Sequence, residues 1–175
     1  MDDIPDMPAS LRATHPHLER FWEFLQRLHR ESERGRVLIS AGLLEEQLKQ
    51  ILLAFMLETQ ASKALLQGAT APLGTFHSRI EAAYALALIS EEQYHDLCLI
   101  RRIRNDFAHN LQASFTSPGI RDRCNQLRMK ADGYGDVKIP SGDQFQTSAT
   151  ALILHLTNRP HHVAKQRRQI QAWPY

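Results

Sequence analysis

The stretch RVLISAGLLEEQLKQILLAFMLE, residues 36–58, is rich in apolar residues and decides the fold. Its apolar residues recur at intervals of three and four and form two stripes. The first stripe is Val37, Leu44, Leu48, Ile51, Leu52 and Phe55, and the second is Ile39, Leu43 and Leu53. A helix that is apolar on more than one side has to be covered on more than one side. The stretch therefore predicts a central helix with other helices packed around it.

Segments on both sides of this stretch have the same helical periodicity. They cover residues 17–34, 60–67, 75–88, 89–110, 117–130 and 144–158. Thr75 and Ser90 are predicted N-caps, and Gln93 would complete a capping box with Ser90. The two helices that follow these caps are joined so closely that they should form an antiparallel hairpin. No segment shows the sustained alternation of a strand, so the sequence predicts an all-α fold, a single-domain helical bundle of about six to eight helices.

The bulk properties indicate one domain. With 175 residues, 43% of them hydrophobic, the chain can build one well-packed core but not two. We expect an irregular lead-in at residues 1–15 and a helical domain at 16–170. Within this domain the prediction places the core at 36–128, an exposed loop at 131–142, and a C-terminal helix at 143–158 that is followed by a basic tail.

The charge of the chain is nearly balanced overall but unevenly distributed. The 21 Lys and Arg against 19 Asp and Glu give a net charge of +2, whereas a protein that coats DNA usually has a much larger basic excess. After Asp143 the chain has no further acid but contains Arg159, Lys165, Arg167 and Arg168. This C-terminal segment is either a solvated basic face or a contact for nucleic acid, and the sequence leaves both readings open.

Signals for a metal, a cofactor or a membrane are weak. Cys98 and Cys124 have no metal-ligand spacing, and the three histidines 155, 161 and 162 lack a nearby carboxylate, so we expect no metal and no cofactor. The N-terminus MDDIPDMPAS is acidic and proline-rich, unlike a signal peptide, and no apolar run approaches the length of a membrane span. The expectation is a cytoplasmic protein without membrane contact.

The run IRRIRNDFAHN, residues 100–110, is the candidate site. Arg104 interrupts an apolar stripe that is formed by Leu97, Ile100, Phe107 and Leu111. An unpaired guanidinium is costly in such surroundings, so we predict that Arg104 pairs with Glu46 of the central helix. His109 lies five residues after Arg104, which on a straight helix turns the two side chains apart by roughly 140°. They would cooperate at a distorted helix end or across the two-fold axis of a homodimer.

A purely structural explanation of the same run competes with the site. Basic residues near a helix C-terminus interact favourably with its free carbonyl groups and dipole. Asp106 would pair with Arg102, four residues earlier, and Asn110 would end the helix. Composition alone does not choose between the two explanations.

Two resemblances bear on that choice. The motif Arg-Asn-x-x-x-His, here Arg104, Asn105 and His109, resembles the signature of the HEPN superfamily, helical domains of which many are ribonucleases that act as dimers. The run APLGTFHSRIEAAYALALISEEQYHDLCLIRRIRNDFAHN, residues 71–110, resembles the MltR family, which is named for the mannitol operon repressor. This second resemblance extends over roughly residues 36–112 and implies a similar helical layout.

The MltR resemblance implies a cytoplasmic regulator linked to transcription. The sequence contains no convincing helix-turn-helix, because its helices have the apolar content of a core and not the polar face that reads a major groove. We therefore expect contact with a regulatory protein partner, and direct sequence-specific binding to DNA is not expected.

The HEPN resemblance implies a different class, a metal-independent endoribonuclease of the toxin or defence type. His109 would act as general acid or base, Arg104 would stabilise charge on the phosphate, and Asn105 would orient either group. Glu46 and Asp106 would support this site. The residues expected to gather the RNA backbone by charge are Arg101, Arg102, Lys165, Arg167 and Arg168.

Overall fold

The computed structural model describes residues 6–14, 19–68, 70–129 and 139–174. These residues form nine α-helices and no strand, so the all-α prediction is confirmed. The helices are α1 (Ala9–Thr14), α2 (Glu19–His29), α3 (Glu33–Phe55), α4 (Gln60–Leu66), α5 (Phe76–Ala85), α6 (Glu91–His109), α7 (Pro118–Asn125), α8 (Ser141–Thr157) and α9 (Arg159–Val163). The predicted bundle of about six to eight helices is confirmed, and the short helices α1 and α9 are additions near its two ends.

Helix α3 is the centre of the bundle, as its sequence predicts. It packs against α5, α6, α8 and α9, and most of its first apolar stripe is fully buried. The second stripe is not covered to the same extent, because Ile39 remains 41% exposed and Leu43 and Leu53 are only half-buried. Although α3 is the longest helix, neither it nor any other helix in the described ranges is long and apolar enough to cross a membrane.

Helices α5 and α6 form the predicted antiparallel hairpin. Capping boxes at Thr75 and Ser90 start the two helices. At the end of α5, the Leu88 amide donates to the Ala83 carbonyl at 2.8 Å and the Ala87 amide donates to the Tyr84 carbonyl at 2.9 Å. This is the Schellman pattern, in which the turning residue has a positive φ. Here that residue is Ala87, at φ 55°, where glycine is more usual.

Three phenylalanines join the hairpin to the C-terminal half of the chain. The ring of Phe115 lies 5.2 Å from that of Phe107 on α6 and 5.4 Å from that of Phe145 on α8, measured between centroids. Gly142, in the first turn of α8, faces Phe115 so closely that a Cβ atom there would lie 3.0 Å from the ring. The absence of a side chain at this position lets α8 approach the ring.

Asp96 fixes the segment that follows α7. Its side chain is fully buried on α6, and its carboxylate accepts hydrogen bonds from the Arg128 amide at 2.9 Å and the Met129 amide at 2.7 Å. A buried carboxylate needs such donors, because it has lost its water. Asp96 therefore holds residues 128 and 129 against the side of α6.

Arg79 of α5 is buried, with 8% of its surface exposed, and connects four parts of the chain. Its guanidinium donates to the carbonyls of Leu73 at 3.0 Å, Leu66 at 3.3 Å and Glu45 at 3.3 Å. The Glu45 carboxylate lies 3.6 Å from the same group and balances its charge. These contacts tie α5 to α3, to the end of α4 and to the connection at 67–75.

The ends of the predicted domain differ from expectation in two places. The lead-in was expected to be irregular, but Pro8 directly precedes α1, where a proline is tolerated because the first helical amides need no intrahelical partner. Helix α8 begins at Ser141, so the last two residues of the predicted loop 131–142 belong to a helix. The rest of that loop up to residue 138 and residues 1–5 of the lead-in lie outside the described residues.

Removing the Arg79 side chain tests how strongly its contacts stabilise the fold. Arg79→Ala leaves the Glu45 carboxylate and three carbonyls without their donor, so the free energy of unfolding should fall by about 3 kcal/mol. Arg121→Ala is the matched control, because Arg121 is exposed and, among the described residues, pairs with its exposed neighbour Asp122 alone. Arg121→Ala should lower the free energy of unfolding, measured by urea denaturation, by less than about 0.5 kcal/mol. Equal losses in the two variants would contradict the account.

Candidate functional site at the end of helix α6

Arg34 of α3 binds the C-terminal end of α6. Its guanidinium donates to the carbonyl of Phe107 and, at 2.8 Å, to the carbonyl of Asn110. The last carbonyls of a helix have no intrahelical partner, so they require donors of this kind. Near the C-terminal end of α3, Pro160 of α9 lines a cavity together with Leu53 and Leu57, and Arg159 donates to the Leu88 carbonyl just before α6 begins. Helices α3 and α6 therefore run antiparallel.

Arg104 does not pair with Glu46, so this prediction was wrong. Arg104 is half-buried, and its Nη1 donates to Oδ1 of its neighbour Asn105 at 3.1 Å. Glu46 is exposed and accepts from Gln50 at 2.6 Å and from Lys49 at 3.2 Å. The hydrogen bond from Gln50 is the main reason that the pKa of Glu46 lies below its usual value.

The physical reason for this error is the position of Arg104 on α6. The fully buried positions in this part of the helix are Ile100, Ile103 and Phe107, and Arg104 lies at the edge of that stripe. Because Arg104 is only half-buried and its Nη1 donates to Asn105, it does not require a carboxylate. The arginine that does require one is Arg79, and its partner is Glu45.

Asp106 also has a partner that the sequence did not indicate. It forms an ion pair with Arg123 of α7, and both side chains are half-buried. The expected pair of Asp106 with Arg102 is not formed, because Asp106 pairs with Arg123 instead, while Arg102 is exposed. Asp106 therefore links two helices and does not neutralise the arginines at 101, 102 and 104.

His109 is the last residue of α6 and is exposed. Within the described residues, no hydrogen bond or ion pair connects its ring to Arg104 or to Asn105. The structure thus brings Arg104 and Asn105 together and leaves the third residue of the predicted motif on the helix end. Cooperation of all three would need a second copy of the chain, as the helical spacing predicts.

The basic tail lies far from this end of the bundle. Arg167 pairs with Glu58 at 3.3 Å, and the Arg168 amide donates to the Phe55 carbonyl at the C-terminal end of α3. Arg34 and Phe55 are 21 positions apart on that helix, which corresponds to about 31 Å. The predicted nucleic-acid residues therefore form two separate groups, Arg101 and Arg102 on α6 and Lys165, Arg167 and Arg168 beyond α9.

A basic surface remains where α3 and α6 meet. We call it the α3–α6 surface and define it by Arg34, Leu38, Arg101, Arg104 and Leu111. Leu38 lies one turn after Arg34 on the same helix face and is 37% exposed, and Leu111 is 87% exposed. In the part of the chain that the structure describes, none of the three arginines has an acidic partner, and the Nε atom of Arg101 is buried without any acceptor. Such a surface suits an acidic partner with an apolar contact.

The sequence did not identify Arg34 or Asp96. Asp96 had a readable signal, because Leu99, Ile100 and Ile103 follow it at helical spacing and place it on the buried side of α6. No sequence signal pointed to Arg34, since its acceptors are main-chain carbonyls more than seventy residues away. A contact to the backbone leaves no pattern in the residue types.

Comparison with known proteins supports the fold. No protein-family model matches the chain, and no curated protein matches its sequence. The fold matches a chain in the X-ray structure of the MtlR–HPr complex from Escherichia coli, with a TM-score of 0.56 and 22% sequence identity. The match covers 81% of this chain and 96% of that chain. The expectation of an MltR-like helical protein is therefore confirmed at the level of the fold.

Loss of the Arg34 contacts should loosen the end of α6. Arg34→Ala leaves the carbonyls of Phe107 and Asn110 without their donor and should lower stability by about 1–2 kcal/mol. The amide of Asn110, which donates to the Asp106 carbonyl, should then exchange its hydrogen faster. Arg27→Ala is the matched control, at an exposed arginine of α2. Unchanged exchange at Asn110 in Arg34→Ala would contradict the assignment.

Proposed function

We propose that the chain is a cytoplasmic, MltR-like regulatory protein, linked to transcription, that acts by binding another protein. The observation that carries this proposal is the match of its fold to a chain of the MtlR–HPr complex. That structure contains two different proteins bound to each other, so a role in protein contact is the natural analogy. An HPr-like protein is accordingly the first partner to test.

The α3–α6 surface supports this proposal and is the part of the molecule that we assign to the partner. Arginine is enriched at protein interfaces because it combines charge, a planar hydrogen-bonding group and an apolar stem. Arg101 and Arg104 are three residues apart on one helix face. Leu38, one turn after Arg34, and Leu111, next to Asn110, add exposed apolar area where α3 meets the end of α6. An acidic surface with a few apolar residues would complement it.

Indirect action on transcription fits the packing of the helices better than direct DNA reading. A recognition helix has to project a polar face into the major groove. Helices α3, α6 and α8 are the longest in the described ranges, and each places a buried stripe in the common core. The net charge of +2 also gives little general attraction to DNA. We also propose that the chain forms a homodimer. Each of the two copies would then present an α3–α6 surface to a partner.

Charge reversal on the α3–α6 surface tests the proposal. Calorimetric titration with HPr from the organism that encodes this chain should show binding that weakens as salt is added. The double variant Arg101→Glu, Arg104→Glu should bind at least about tenfold more weakly, because two cations become anions at the contact. The Arg27→Glu variant, with a charge reversal on exposed α2, should bind as the unmodified chain does.

Two different outcomes of this experiment would contradict the proposal. If HPr binds and the double variant binds equally well, a partner is present but the surface is wrong. If HPr does not bind at all, the analogy with the MtlR–HPr complex is wrong for this chain. A circular dichroism spectrum of each variant verifies that the helices are retained.

The contact between Arg104 and Asn105 favours a second candidate, the metal-independent endoribonuclease. This contact holds the Arg104 guanidinium beside the Asn105 amide, and both groups carry N–H donors to which a phosphate oxygen can bind. His109 of a second copy would supply the general acid or base. Arg101 and Arg102 would hold the RNA backbone by charge.

Incubation with RNA in EDTA tests this second candidate. If it is correct, the unmodified chain cleaves structured or unstructured RNA and leaves DNA intact, because the reaction uses the ribose 2′-hydroxyl as nucleophile. His109→Ala should then lose at least about a hundredfold in rate, in line with the loss of a general acid or base. His77→Ala is the matched control, at an exposed histidine of α5. Absence of cleavage by the unmodified chain would exclude these substrates and this role.

A further inference from the structure

A cavity lies on the hairpin side of α6, outside the α3–α6 surface. It has a volume of about 360 Å³, within the range of small-molecule sites, and opens between the hairpin and the segment after α7. The groups that line it and matter here are Tyr84, Tyr94, His95, Cys98, Arg102 and Arg128. The proposed contact with a partner protein does not use this cavity, and the ribonuclease candidate shares Arg102 with it.

His95 is held in one orientation at the cavity wall. Its Nδ1 lies 2.9 Å from an oxygen of the buried Asp96 carboxylate, which also accepts the two main-chain amides at 128 and 129. Because the carboxylate accepts, Nδ1 is the donor, and Nε2 is left for a ligand. A carboxylate behind a histidine is the usual way to fix its ring and its tautomer.

Two tyrosines form a flat apolar wall in the cavity. The rings of Tyr84 and Tyr94 are stacked, with centroids 4.3 Å apart and planes at 18°. The Tyr94 hydroxyl donates to Glu81 at 3.1 Å, and this hydrogen bond raises the pKa of Tyr94 to about 12, so the ring stays neutral. Tyr84 is 40% exposed and offers its ring to a second planar group.

The cavity has a positive lining. Within the described residues, the side chains of Arg102 and Arg128 have no acidic partner, and both are exposed. Glu91 is an acid at the rim. Burial raises the pKa of the Cys98 thiol, so Cys98 adds no negative charge at neutral pH. The lining of the cavity therefore contains two arginines and one imidazole but a single acid, Glu91, so its net charge is positive.

We propose that this cavity binds a small phosphate monoester whose planar ring stacks on Tyr84. Arg102 and Arg128 supply two planar groups of N–H donors, which match the three terminal oxygens of a phosphoryl group better than the two oxygens of a carboxylate. Nε2 of His95 carries no hydrogen in this tautomer and accepts from the P–OH group of the monoanion, a donor that a carboxylate lacks. The stacked tyrosines take the ring. The site is independent of the α3–α6 surface, so a regulator that binds its partner there would also carry a separate site for a small-molecule signal.

Three probes separate the parts of the proposed ligand. Phenyl phosphate carries both groups, inorganic phosphate carries only the anion, and phenol carries only the ring. In calorimetry with the full chain at millimolar concentrations, phenyl phosphate should bind at least about tenfold more tightly than either fragment, because each contact contributes independently. Amide shifts in NMR spectra should fall on residues 94–102 and 126–128.

Variants at exposed positions of the cavity complete the test. Arg102→Ala and Tyr84→Ala should each weaken the binding of phenyl phosphate by about tenfold, the amount expected for a charged hydrogen bond or a stacked ring. Arg121→Ala, an exposed arginine on α7 outside this cavity, is the control and should bind as the unmodified chain does. Failure of phenyl phosphate to bind, equal affinity for inorganic phosphate, or unchanged binding by both cavity variants would each overturn the proposal.

Discussion

The buried guanidinium of Arg79 is the constraint on which the arrangement of the helices depends. Arginine cannot shed its charge, so a buried one must find acceptors for its N–H groups and a carboxylate for its charge. Arg79 takes these from α3, from the end of α4 and from the connection before α5. The position of the α5–α6 hairpin on the central helix is thereby set, because any shift would leave several polar groups without partners.

The geometry of the candidate site follows from that placement. With the hairpin fixed, α6 runs antiparallel to α3, and its last turn meets Arg34 near the start of the central helix. The contact leaves Arg101 and Arg104 without an acidic partner among the described residues, while Asp106 is paired with Arg123 of α7. The other side of the same helix carries His95 and Arg102 into the cavity next to Tyr84. One helix thus serves two surfaces of different chemistry, one suited to a protein and one to a small anion.

The sequence predicted the helices well because periodicity and capping are local properties. The central position of α3, the caps at Thr75 and Ser90 and the hairpin all follow from spacings of a few residues. The polar contacts of the core were not predicted. Arg104 and Arg79 both interrupt apolar stripes in the sequence, so both are candidates for a buried arginine. Only the fold shows that the position of Arg79 is covered by other helices and that of Arg104 is not. Similarly, Glu45 and Glu46 are neighbours in the sequence but point to different helix faces, so a choice between them needed the position of α5.

The central functional claim is that a partner protein covers the α3–α6 surface. Hydrogen exchange measured by mass spectrometry, on the chain alone and with an HPr-like partner, tests it most directly. We expect slower exchange in peptides that contain residues 34–39 and 101–111, because the partner would exclude water from both helix faces. Protection confined to α8, α9 and the basic tail, or no protection in a mixture shown to contain complex, would contradict it.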